Sequence, residues 1–80
     1  MSDEILQRVI KVIAETQRIS AEGITAESSF EALGIDSLDG INIVFGVENE
    51  FSISVPDEAA KSIRSVGDMA AGVERLLAGA

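Results

Sequence analysis

Between Asp3 and Arg18 the apolar residues Ile5, Leu6, Val9, Ile10, Val12 and Ile13 recur mainly at intervals of three and four, while Arg8, Lys11 and Glu15 fall on the outer side. That period predicts an amphipathic helix with one face turned to a core. From Ser20 to Ile35 no period is sustained, and Gly23, Thr25, Ser28, Ser29 and Gly34 interrupt the segment. It reads as a long connection, able to hold one short turn of helix and pinned to the core by Ile24, Phe30, Leu33 and Ile35. A connection of this length in a small domain is generally functional.

The helical pattern resumes over Ser37 to Phe51, with Asp36 as its N-cap and Asp39 adding favourable charge to the first turn. Ser52 to Val55 is irregular or extended. Pro56-Asp57-Glu58 then opens a short third helix, with proline in its first turn and acids after it, ending near Ile63 or Arg64. Ser65 and Asp68 match a capping pattern. They start a fourth helix whose Val66, Met69, Ala70, Val73, Leu76 and Leu77 share a face, with Gly79 near its end. The lone strand candidate, Ser52 to Val55, has nothing to pair with. The expected fold is all-α: a four-helix bundle with three longer helices, one short third helix and a long loop between helices one and two. No repeat or linker divides the chain, so one domain is expected over residues 1–80.

The second helix carries more apolar surface than a surface helix requires. At about 100° per residue, Asp39, Asn42, Gly46, Asn49 and Glu50 form the polar stripe. The remaining arc, rich in Leu38, Ile41, Ile43, Val44, Phe45, Val47 and Phe51, covers roughly 220° on that geometry. Either the helix is nearly central, or part of the arc faces solvent or a partner. Leu38, Ile41 and Phe45 lie together on one edge, with Ser37 at its N-terminal end. Gly40 and Gly46 each cost this helix about 1 kcal/mol relative to alanine. Close approach of another helix would explain them, as would softness that admits a ligand.

Composition narrows the chemistry. Eighty residues hide only about 60% of their unfolded surface, yet 46% apolar content suffices for a packed helical domain. The chain has no cysteine and no histidine. Disulfides, thiolate metal sites, the usual general base near neutral pH and the commonest metal ligand are therefore missing. No catalytic residue and no metal-ligand set emerges. Fourteen acidic residues against six basic ones leave a net charge of −8. That balance disfavours nucleic acid and anionic membrane surfaces and steers the protein toward basic partners. Met1-Ser2-Asp3-Glu4 lacks the basic start of a signal peptide, and no apolar run approaches the roughly 20 residues of a membrane span. The expected location is cytoplasmic.

Asp36-Ser37-Leu38 places a hydroxyl where the loop hands over to the second helix. Unpaired backbone N–H groups and the positive end of the helix dipole suit a phosphate there. Ser37 is then a cap, a kinase site or the attachment point of a phosphate-linked prosthetic group.

The segment Leu33-Gly34-Ile35-Asp36-Ser37-Leu38-Asp39, then Glu48-Asn49-Glu50-Phe51, then Val55-Pro56-Asp57-Glu58, and finally Ile63 and Ser65-Val66, resembles the acyl carrier proteins, without gaps and over nearly the whole chain. The resemblance implies that a phosphopantetheinyl transferase moves the 4'-phosphopantetheine arm of coenzyme A onto Ser37. Acyl groups then ride on the arm's thiol between partner enzymes of fatty acid, lipid or polyketide biosynthesis. It further implies recognition of the site through Asp36 and Asp39, with Asp36 also helping to bind the metal-bearing transferase complex. The implied docking face has Leu38, Ile41 and Phe45 as its apolar part and Glu48 as its acidic part. Its partners would be acyl ligases, synthases or acyltransferases with basic docking patches. Ile43, Val47, Ile63 and Leu76 would wall a channel for the acyl chain between the helices. The carrier is expected to be a monomer and, with its own Met1 and compact length, a free protein. Asn42, Phe45, Gly40, Gly46, Lys61 and Arg64 depart from the family's usual residues. A docking face poorer in negative charge, on a specialised rather than housekeeping carrier, follows from them. Two other readings stand beside the carrier: a small acidic helical interaction domain without a prosthetic group, in which Ser37 is a cap, and an enzyme, for which the residues offer little.

Overall fold

Helix α1 (Asp3–Gln17) is the spine of the bundle. It packs against both α2 (Ser37–Phe51) and α4 (Val66–Gly79), whereas α2 and α4 approach each other less closely. The computed structural model describes residues 3–79; Met1, Ser2 and Ala80, and the part of the leader reading that fell on the first two, lie outside the described residues. Val9, Ile10, Val12, Ile13 and Ala14 of α1 are buried, as its period predicts. They meet Ile43, Val47 and Phe51 of α2 and Val66, Met69, Ala70 and Val73 of α4 in one core. The long connection contributes Ile24 and Ile35 to that core, with Phe30 and Leu33 half-buried against it. It contains one short 3-10 turn at Ala21–Gly23.

The bundle is all-α, with three longer helices and a short α3 (Asp57–Lys61). α3 stops earlier than expected. Ser62 and Ile63 donate their N–H groups to Ala59 and Ala60, tightening the last turn, and Ile63 packs on the core. Pro56 sits just before the first turn with extended ψ, not inside it. Extended pairing appears where no strand was expected, as an isolated antiparallel bridge between Ser29 and Ser65. Leu77 remains exposed, because α4 continues beyond the core it packs on.

Arg8 corrects the outer-face assignment. Its Nε donates to Glu50 Oε2 and its Nη2 to the Glu50 carbonyl, each at 3.0 Å, and the guanidinium lies 4.3 Å from the Phe51 ring centroid. A long side chain at the edge of the apolar stripe reaches the C-terminal end of α2, where a cation is favoured. The ion pair is partly solvated, so it contributes at most about 1 kcal/mol.

The two glycines of α2 separate. A Cβ on Gly46 would lie 2.9 Å from Val12 Cγ1 and 3.7 Å from Thr16 Oγ1, so close approach of α1 requires this glycine. A Cβ on Gly40 would meet no heavy atom within 4 Å, and no packing requires it. Gly46→Ala should therefore destabilise the fold by about 1–3 kcal/mol through overpacking. Gly40→Ala should stabilise it by about 0.5–1 kcal/mol. Urea or thermal unfolding of the two variants reads both signs.

Candidate functional site

The approach to α2 is built from backbone. Residues 30–35 close a turn of helix in which the Ile35 N–H donates to the Phe30 carbonyl and the Gly34 N–H to that of Glu31, at 2.9 and 3.1 Å. Gly34, with φ of +74°, supplies the left-handed residue this helix ending needs. The loop is fastened to the start of α4. Phe30 N–H donates to the Arg64 carbonyl, Val66 N–H to that of Ser28 and Gly67 N–H to that of Ala26, at 3.0, 2.9 and 2.8 Å. Ser65 Oγ accepts from the Asp68 N–H at 3.1 Å, while Asp68 Oδ2 accepts from the Arg64 N–H at 3.1 Å. The expected capping pair is thus in place, reaching one residue further back than the simple box.

Asp36 caps α2. It is extended, and its Oδ1 accepts from the Asp39 N–H at 2.9 Å. Ser37 is the first helical residue and is exposed. Among the described residues no hydrogen bond engages its hydroxyl. The reading of Ser37 as the cap is thereby corrected: the neighbouring carboxylate does that work. An exposed, uncommitted hydroxyl beside the open N–H groups of a helix start fits a phosphate ester.

Leu38, Ile41 and Phe45 continue from Ser37 along one face and are 70%, 51% and 60% exposed. The apolar excess of α2 therefore divides: Ile43, Val47 and Phe51 face the core, and this strip faces solvent. Asp36 is exposed and Asp39 half-buried beside Ser37. Glu48 also serves the fold. It is half-buried, and its Oε2 accepts from the Val55 N–H at 2.7 Å, tying the α2–α3 connection to α2. Nothing in sequence spacing signals that contact, which joins residues seven apart across a change of direction.

Between α2, α3 and α4 lies a groove of about 510 Å³. Val47, Ile63 and Leu76 line it as expected; Ile43, packed in the core, does not. Val44, Met69 and Gly72, which were not singled out as walls, line it too. Among the described residues no group of three or more acidic side chains could hold a metal ion, and no helix is long and apolar enough to cross a membrane.

A family model described as a phosphopantetheine attachment site matches residues 7–73. Over 68 residues the chain is 47% identical to an acyl carrier protein of Rickettsia bellii, covering 84% of this chain and 79% of that one. The chain belongs to the acyl carrier protein family. An acyl carrier protein of Caulobacter vibrioides is 46% identical over 69 residues, covering 85% of this chain and 87% of that one. The crystal structure of an acyl carrier protein from Thermotoga maritima superposes with a TM-score of 0.84 at 29% identity, covering 95% of this chain and 89% of that one. The protein is a carrier of acyl intermediates, not a catalyst, and phosphopantetheine is its prosthetic group. A phosphopantetheinyl transferase and biosynthetic enzymes are its partners in general.

Asp36→Ala should lower stability by about 1 kcal/mol through loss of the cap, or about 4–8 °C in a domain of this size. A thermal melt followed by circular dichroism measures it.

Proposed function

We propose that Ser37 is the residue esterified by the phosphopantetheine arm. The observation that carries this reading is the exposure of an unbonded hydroxyl at the start of α2 while Asp36 supplies the cap. The arm supplies a thiol that holds acyl groups as thioesters, which a chain without cysteine cannot offer itself. The chain's own residues present the site, shelter the cargo and dock its enzymes. Asp36 and Asp39 flank the hydroxyl and give the transferase, with its bound metal, a negative surface to recognise. Leu38, Ile41 and Phe45 form the apolar docking strip, and their exposure supports that role. Phe45, a large aromatic in mid-strip, has the character of an interface anchor.

The acidic part of docking is concentrated near Ser37. Glu48 is committed to Val55 and Glu50 to Arg8, and Asn42 stands exposed between them and the site. A strip with little negative charge of its own supports a specialised carrier whose acyl ligase, synthase or acyltransferase partners place their basic groups next to the serine. We further propose that it works as a monomeric single domain in the cytoplasm, without nucleic acid or membrane partners, consistent with its charge of −8.

Incubation with coenzyme A and a promiscuous phosphopantetheinyl transferase should add the mass of one arm to the wild-type chain. Ser37→Ala should stay folded and gain nothing; addition to that variant would refute the assignment. Phe45→Ala should leave stability nearly unchanged, because the ring is exposed, and lower kcat/KM for a docking enzyme about tenfold. Steady-state kinetics with the transferase or an acyltransferase check the second expectation.

A further inference from the structure

Two residues of the α2–α3–α4 groove have no structural explanation. Gly72 lies within α4 and lines the groove, yet a Cβ there would meet no heavy atom within 4 Å. Glycine is a poor helix former, and no close approach requires it here; its effect is to keep the wall open. Arg75, one turn further on, lines the same groove and also an adjoining recess formed with Ser52, Ile53, Ser54 and Gly79. Ser52 follows the last residue of α2 as its C-cap and Gly79 ends α4, so Arg75 stands at the end of the bundle remote from Ser37. No hydrogen bond or ion pair engages it among the described residues.

A groove with Val44, Val47, Ile63, Met69 and Leu76 on its walls suits a hydrocarbon chain. A free guanidinium at its distal end suits a hydrogen-bond acceptor, above all a charged one. Two carboxylates also line the groove. Asp68 already accepts from the Arg64 N–H, while Glu58 faces the groove from α3. Glu58 makes a hydroxyl, which both donates and accepts, as suitable as a carboxylate. We propose that the groove receives an acyl cargo with a polar far end, a hydroxyl or a carboxylate, that Arg75 binds this end, and that Gly72 leaves the passage to it. The proposal rests on the reading that cargo is tethered at Ser37.

The absence of cysteine permits a direct test. A Ser37→Cys variant is alkylated with a spacer of pantetheine length bearing octanoyl, 8-hydroxyoctanoyl or 7-carboxyheptanoyl. Its melting temperature is compared with that of the spacer alone. At least one polar-tailed cargo should raise the melting temperature about 4 °C more than octanoyl, and Arg75→Met should abolish that difference. Gly72→Leu, whose side chain enters open space, should stay folded and lose the difference as well. In the protein with Arg75 intact, the Arg75 Nε–H resonance should shift with the polar-tailed cargo and not with octanoyl. An octanoyl effect equal to or larger than both polar ones, a difference that survives Arg75→Met or Gly72→Leu, or an unmoved Arg75 resonance overturns the proposal. Because the cargo is attached chemically, failure of wild-type Ser37 to accept the arm from coenzyme A would strike the attachment reading alone.

Discussion

The placement of Ser37 depends on three backbone hydrogen bonds that fasten the long first loop to the start of α4. They join residues 26, 28 and 30 to residues 67, 66 and 64. A sixteen-residue connection without its own period would otherwise wander, since closing a loop costs entropy that only specific contacts repay. With the loop held, the left-handed glycine at position 34 ends its last turn and Ile35 is driven into the core. The chain then enters α2 with Asp36 in the extended conformation a cap requires. The serine is left at the rim with nothing to do for the fold, which is what a modification site needs.

Unequal packing explains the rest of the carrier. α1 takes both larger helices against itself, with Gly46 allowing α2 to approach Val12. α2 and α4 consequently stand apart on the other side, and the short α3 spans the gap without burying a residue fully. The groove is the space left over. At one edge the Val55 N–H donates to the Glu48 carboxylate and ties the α2–α3 connection to α2. A carrier needs no catalytic group of its own, because the reactive chemistry belongs to the prosthetic arm and to its partner enzymes. Leu38, Ile41 and Phe45 form an exposed apolar strip that runs along α2 from Ser37.

Sequence alone determined the helices and the family, because both are written in local pattern. Spacings of three and four placed α1, α2 and α4 within a residue or so. The Asp36 cap, the Ser65–Asp68 pair and the excess apolar arc of α2 were all legible, since caps and faces depend on neighbours within one or two turns. The residues around Ser37 carried the family resemblance in the same way.

Only the tertiary structure decided which helix is central, which glycine is needed and where the carboxylates go. Arg8 reads as solvated until the end of α2 comes beside it, and nothing in the sequence signals that Glu48 accepts from the Val55 N–H. Gly40 and Gly46 are indistinguishable as letters, and only the approach of Val12 separates them. Ile43 and Ile63 likewise read as equivalent walls, although the core takes one and the groove the other. These choices depend on distances between segments remote in sequence. A one-dimensional period states which face a residue shares; it does not state what stands opposite.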